Sequence, residues 1–348
     1  MPLHPFESPR GRTETLAIDS RALAGNLLGD PARRAVAVYL PHGYDETSEE
    51  YPLFVVLASF TGSGLELLGW QAFGESVPQR VDRLVASGAM GPVVVAFPDC
   101  FTSLGGNQYI DSVAVGRWET FLVDEMLPAV EARFRVRRDA AGRALLGRSS
   151  GGYGALVHGM RHAQAWGAVA CHSGDMAFDL VYRPDLPKAL DVLARHAGSV
   201  TAFIEHVRTA QRIGPDETTA LMVLALAATY DPDPVAPLGV RFPVDPHTCE
   251  IVEERWAAWL RHDPLRLVEE PGCQENLRRL RGLFLDCGTR DPYALHYGAR
   301  TLARRLTSLG IPHVHEEFDD VHSGIDYRLD RSLPWLYRAL SGAAASAG

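Results

Sequence analysis

One stretch constrains this chain more than any other: Arg143-Ala144-Leu145-Leu146-Gly147-Arg148-Ser149-Ser150-Gly151-Gly152-Tyr153-Gly154-Ala155-Leu156. A short apolar run enters Gly147-x-Ser149-x-Gly151, and small or apolar residues continue behind it. That order predicts strand, sharp turn and helix, with a strained serine whose Oγ projects from the end of a sheet. Glycines flank it because a Cβ at either position would collide with a neighbouring strand or helix. Ser150 opens the helix, so its backbone N–H is free to face an oxyanion beside the serine. Only Ser149 lies between the two glycines, so the register selects Ser149 and not Ser150 as the nucleophile. An ordinary glycine-rich strand–helix turn is the competing reading of the same motif.

Strand and helix patterns alternate on both sides of this motif. Thr13–Asp19 and Ala35–Leu40 read as strands, and Tyr51–Ala58 is a near-continuous apolar run suited to a strand buried on both faces. Val77–Ser87 reads as a helix, Pro92–Phe97 as a strand, and Trp118–Phe134 as a helix with Phe121, Leu122, Met126, Leu127 and Val130 on one face. Ala144–Leu146, Trp166–His172, Gly282–Cys287 and His313–Phe318 supply further strands, with helices at Tyr153–His162, Tyr297–Leu309 and Arg331–Leu340. Such alternation predicts a mostly parallel sheet covered by helices on both faces. From about Gly174 to Asn276 the alternation gives way to helical segments joined by proline-rich connections. We expect residues 174–276 to be a helical cap over the strand ends, inserted into a core of residues 1–173 and 277–348. There Trp256 and Trp259, at i and i+3, are expected to pack their helix onto the body, with lining a pocket as the competing reading.

Composition narrows the function classes. With 348 residues there is room for one large α/β domain carrying an insertion. A formal net charge of −9 argues against nucleic acid or an anionic membrane surface as the main partner. Met1–Ser8 lacks the basic and apolar regions of a signal peptide, no long uncharged apolar run is present, and a cytoplasmic location is the default expectation. Ser341–Gly348 reads as a frayed tail. Five cysteines without CxxC spacing make neither a disulfide framework nor a zinc site, so no metal and no cofactor are expected.

A serine hydroxyl needs a base to take its proton, and the base needs an acid to fix its tautomer. The order Ser, then Asp, then His, each in a loop after a strand, is present. Asp291 follows the Gly282–Cys287 strand, and His322 follows His313–Phe318. Asp286 competes with Asp291 but lies inside its strand, where its side chain points into a sheet face. His172 and His296 are the competing histidines. A second oxyanion donor is expected after the Tyr51–Ala58 strand, from the backbone N–H of Phe60 or, failing that, Thr61.

At these residues the chain resembles the esterase D, or "Putative esterase", family of α/β-hydrolases. The likeness is carried by Asn26-Leu27-Leu28-Gly29-Asp30-Pro31, Val38-Tyr39-Leu40-Pro41-His42-Gly43-Tyr44, Gly147–Gly152, Gly288-Thr289-Arg290-Asp291-Pro292-Tyr293 and His322. The group includes S-formylglutathione hydrolases, feruloyl and acetylxylan esterases, enterochelin esterases and mycolyltransferases. The resemblance implies an α/β-hydrolase fold and cofactor-free hydrolysis of a small carboxylic ester through an acyl-enzyme on Ser149, with Asp291 and His322. The chain departs from the family pattern in two places. Ala58-Ser59 stands where His-Gly is frequent, and the helical insertion is longer than in compact members. Two further readings remain at this level: an acyltransferase passing the acyl group to an alcohol or amine, and a catalytically silent binding protein. A homo-oligomer is compatible with the sequence.

Overall fold

The computed structural model describes residues 9–342, so the N-terminal stretch Met1–Ser8 and the tail after Gly342 lie outside the described residues. The strands are β1 (Arg12–Asp19), β2 (Arg33–Leu40), β3 (Leu53–Leu57), β4 (Val94–Pro98), β5 (Asp111–Ser112), β6 (Gly116–Arg117), β7 (Arg143–Arg148), β8 (Ala168–His172), β9 (Gly282–Gly288) and β10 (Val314–Phe318). Eight of them form one sheet in the order β1-β2-β4-β3-β7-β8-β9-β10. The β1–β2 and β2–β4 pairs are antiparallel. Every later pair in that sheet is parallel. This is the mixed, mostly parallel sheet of an α/β-hydrolase.

The central strands are buried on both faces, and their alternate residues feed two separate cores. In β3, Leu53, Val55 and Leu57 enter the larger core, whereas Phe54 and Val56 enter the smaller one on the opposite face. Leu145 of β7 likewise faces one side while Ala144 and Leu146 face the other. A side-chain period of two explains why these runs read as continuously apolar.

Two local features differ from expectation. The helix expected over Trp118–Phe134 forms over 118–133 but widens into a π-helical stretch at Phe121–Met126. Pro128 follows one residue later; it lacks an N–H and its ring crowds the preceding turn, which the wider stretch relieves. The β5–β6 hairpin has two residues per strand, too few to leave an alternation in the sequence.

Between β8 and β9 the chain runs through helices at Phe178–Val181, Leu186–Ala194, Val200–Thr209, Pro215–Tyr230, Glu253–Leu260, Pro264–Leu267 and Pro271–Arg279. Pro215–Tyr230 is buried from Ala220 to Tyr230 except at Met222, and its residues join the same core as Leu57 of β3. Trp259 is fully buried, edge-on to Tyr182 and Tyr230, and Trp256 donates its indole N–H to Asp179 at 3.0 Å. Pro271–Arg279 lies against the helix Ser150–Arg161, with Asn276 donating to the Met160 carbonyl at 2.9 Å. Residue 276 therefore falls inside a helix.

The parallel order brings the C-terminal ends of β3, β7, β8, β9 and β10 to one edge of the sheet. Loops at that edge are where open α/β sheets bind ligands.

Candidate active site

Ser149 connects β7 to the helix Ser150–Arg161 with φ 56° and ψ −124°, a conformation that costs a non-glycine residue roughly 1–3 kcal/mol. Main-chain bonds hold it there: its N–H donates to the His172 carbonyl at 2.9 Å, and its carbonyl accepts from Tyr153 at 2.8 Å. The need for glycine on either side is steric. A Cβ at Gly147 would stand 2.4 Å from the Gly151 carbonyl carbon, and one at Gly151 would stand 2.3 Å from the Leu57 carbonyl oxygen. Strand β3, the turn and the helix are thus in main-chain contact, and the serine is pushed outward.

Asp291 and His322 come from neighbouring loops, as their order in the sequence requires. The Thr289 N–H donates to the Phe318 carbonyl at 2.9 Å, and the Arg290 N–H donates to the Asp320 carbonyl at 3.0 Å, tying the two loops together. His322 Nδ1 donates to Asp291 Oδ2 at 2.7 Å, and the Tyr293 N–H donates to Asp291 Oδ1 at 2.8 Å. The Asp291 side chain is fully buried and that of His322 is 12% exposed. With Nδ1 committed to the carboxylate, Nε2 is left as the basic nitrogen. The Tyr293 ring meets the imidazole edge-on at 4.9 Å. Ser149 and His322 line one cleft of about 300 Å³.

The competing residues form a separate assembly. His172 Nδ1 pairs with Asp286 Oδ1 at 2.7 Å, and its Nε2 meets the Ser332 hydroxyl at 2.9 Å. Arg328 donates its Nε–H to Asp286 Oδ2 at 2.8 Å. Both nitrogens of His172 are occupied in the interior, so neither is available to Ser149. His296 is buried against Tyr297, at 4.1 Å between ring centres, and its Nδ1 has no hydrogen-bond partner among the described residues.

Phe60 and Thr61 both border the cleft, as does Ser59. The Phe60 carbonyl accepts from the Gly106 N–H at 2.6 Å, and the Tyr109 hydroxyl donates to the Ala58 carbonyl at 2.6 Å. The loop after β4 therefore fixes the segment that carries the Phe60 N–H. Tyr182, Thr218 and Met222 from the helical segment and Asp175 from the loop after β8 also line the cleft.

Sequence reasoning did not single out Asp175, Tyr182 or Gln108. Tyr182 donates to Asp175 Oδ2 at 2.9 Å, and Gln108 donates to the Ser150 hydroxyl at 3.0 Å. The position of Asp175 immediately after a central strand was the available signal.

Comparison with known proteins gives this geometry a family. Residues 31–328 match the family described as "Putative esterase". The chain belongs to that family. Among curated relatives, it is 32% identical to Esterase MT1326 of Mycobacterium tuberculosis over 145 residues, covering 40% of this chain and 28% of that protein. It is 28% identical to an endo-1,4-beta-xylanase/feruloyl esterase of Xylanibacter ruminicola over 141 residues, covering 39% of this chain and 19% of that one. The matches thus span under a third of those relatives' length. Among solved structures, a ferulic acid esterase superposes with a TM-score of 0.61 at 20% identity, covering 95% of this chain and 99% of the other. An S-formylglutathione hydrolase from Staphylococcus aureus superposes with a TM-score of 0.58 at 12% identity, covering 94% and 99%. At those identities the superpositions establish the shared fold.

Among the described residues no helix is long and apolar enough to cross a membrane, and no group of three or more His, Cys, Asp or Glu could hold a metal ion.

Proposed function

We propose that this esterase-family chain hydrolyses carboxylic esters through an acyl-enzyme on Ser149. The observation that carries the reading is the 2.7 Å bond from His322 Nδ1 to the buried Asp291, beside a serine on a strained turn in the same cleft. Ser149 Oγ attacks the ester carbonyl while His322 Nε2 takes its proton, and Asp291 holds the tautomer and balances the imidazolium. The developing oxyanion is received by the N–H of Ser150 at the helix start and by the N–H of Phe60. The imidazolium returns its proton to the departing alcohol. Water then attacks the acyl-enzyme, with His322 again as base, and releases the acid.

Residues 174–276 serve in this proposal as a cap: their Tyr182, Thr218 and Met222 line the cleft together with Ser149 and Phe60. A cap that excludes water would favour transfer to an alcohol or amine, so product analysis belongs in the test. The test is turnover of p-nitrophenyl esters from acetate to octanoate by the wild type and Ser149→Ala, with phosphonate labelling mapped by mass spectrometry. Hydrolysis that disappears in Ser149→Ala, together with a label on Ser149, is expected. A label on another residue, or undiminished turnover by the variant, refutes the reading. Acceptor-dependent ester or amide formation would reassign the second step to acyl transfer.

A further inference from the structure

The cleft holds a carboxyl group to which the proposed reaction assigns no proton or bond. Asp175 lines the same cleft as Ser149 and His322 and is 6% exposed. Its partners are the Tyr182 hydroxyl at 2.9 Å, the Ser150 hydroxyl at 3.5 Å and the Gln108 amide, all of them neutral. The other charged side chains along the cleft are already paired. Arg148 meets Asp326 at 3.1 Å, and Asp185 meets Lys188 at 2.7 Å. Among the described residues no cation lies within ion-pair distance of Asp175; His322 acts on it only through space, against the dominant effect of burial.

Two physical costs follow from that position. A carboxylate nearly removed from water is unfavourable without a cation, and burial pushes the Asp175 carboxyl above its ordinary range. Asp175 also contacts Ser150, whose N–H is assigned to the oxyanion. An ionised Asp175 therefore opposes the negative charge that develops on the substrate. A cation brought into the cleft by the substrate removes both costs, whereas a neutral hydroxyl can accept or donate a hydrogen bond but cancels no charge. Tyr293, half exposed at the same cleft, adds an aromatic ring of the kind alkylammonium groups favour.

We infer that Asp175 makes this cleft selective for esters that carry an ammonium group, the cation pairing with its carboxylate. The inference rests on the proposal that Ser149 is an esterase nucleophile. It is tested with two pairs of isosteres, one for each side of the ester bond. Choline butyrate is compared with 3,3-dimethylbutyl butyrate. The p-nitrophenyl ester of 4-(trimethylammonio)butyrate is compared with that of 5,5-dimethylhexanoate. In the wild type at least one pair shows a kcat/KM ratio of about tenfold or more in favour of the cation, as a desolvated charge pair provides. In Asp175→Asn, which keeps the side chain's shape, that ratio falls towards one while the melting temperature confirms folding.

Ratios near one for both pairs in the wild type, or a preference that survives in Asp175→Asn, overturn the inference and leave the esterase intact. Calorimetric binding of choline butyrate to Ser149→Ala supplies a readout independent of turnover. Binding that Asp175→Asn abolishes supports the cation site even if no ester is cleaved. Equal binding with and without the carboxylate removes it.

Discussion

Replacing Asp291 by Asn is the most incisive test of the proposed proton relay, because the structure dictates how the amide must sit. Asp291 accepts hydrogen bonds from the backbone N–H of Tyr293 at 2.8 Å on Oδ1, and from His322 Nδ1 at 2.7 Å and, weakly, the Cys287 thiol at 3.9 Å on Oδ2. The backbone N–H can only donate, so the amide oxygen of the new Asn must face Tyr293. Its NH2 group then faces His322, and Nδ1 becomes the acceptor. The proton moves to Nε2, the nitrogen that has to receive the Ser149 proton, and the base is disabled without loss of shape. Turning the amide over would set its NH2 against the Tyr293 N–H inside a fully buried site, which costs about 1–3 kcal/mol for the lost bond.

A wrong-tautomer histidine lowers kcat by about 10⁴ in a serine–histidine–aspartate system. At about 1.36 kcal/mol per decade, that is some 5 kcal/mol of barrier. The assay is p-nitrophenyl butyrate turnover by Asp291→Asn across the pH range, with melting temperature and KM as controls for folding and binding. A well-folded variant that loses less than tenfold in kcat would show that Asp291 does not set the tautomer. The proton relay would then have to be rebuilt around another acid.

Gly151→Ala places a Cβ 2.3 Å from the Leu57 carbonyl oxygen and 2.7 Å from that of Ala58, both backbone atoms, so we expect a loss of about 3 kcal/mol or more in urea unfolding. Gly272→Ala has open space around it in the helix Pro271–Arg279 and is expected to gain about 0.4–1 kcal/mol in the same assay. Trp259→Ala removes a fully buried indole packed on Tyr182 and Tyr230, with an expected cost of about 3–5 kcal/mol and a weakened cleft wall visible as raised KM. His262 is pushed down to about 4, by burial first and then by Arg161 and Arg261. The unfolded chain, with its His near 6.5, binds the extra proton between those values, so this group's contribution is intact above about 6.5 and lost as pH falls towards 4. His262→Asn should therefore flatten the acid limb of stability against pH by up to about 1.4 kcal/mol per pH unit in that window. An unchanged slope across a urea-unfolding series would contradict it.

What was legible in the sequence is what the backbone dictates locally. The Gly147-x-Ser149-x-Gly151 turn announces itself because main-chain contacts with β3 forbid any other residue beside the serine. The alternation of apolar strands and amphipathic helices gives the parallel sheet, because a strand covered on both faces has to be apolar throughout. Asp291 could be preferred over Asp286 because a strand residue points into a sheet face, and Asp286 does face His172 and Arg328 there. Tyr182 and Asp175 could not be found in this way. Their mutual contact spans only seven residues, but it is made across an irregular turn and the single-turn helix Phe178–Val181, too short to leave a period in the sequence.

The two His–Asp pairs show why histidine and aspartate alone do not define a site. Each pair closes at 2.7 Å, and each has its imidazole Nδ1 on a carboxylate oxygen. Their second nitrogens separate them. Nε2 of His172 meets the Ser332 hydroxyl inside the fold, where Ser332 is fully buried and no substrate can reach it. His322 borders the cleft that holds Ser149, on a loop that two main-chain bonds fasten to the Asp291 loop. The contrast makes a prediction for matched variants that is read in the activity of the folded protein. His322→Gln should lose turnover by several orders of magnitude even in folded protein, since that side chain lies at the cleft, and it also lowers the melting temperature because it leaves the buried Asp291 without its imidazole. His172→Gln should lower the melting temperature strongly, since it leaves a buried Asp286 paired only with Arg328, while the activity that remains at low temperature keeps its pH profile. An inactive but fully stable His172→Gln would transfer the catalytic role to the wrong side of the sheet and defeat the assignment of the base.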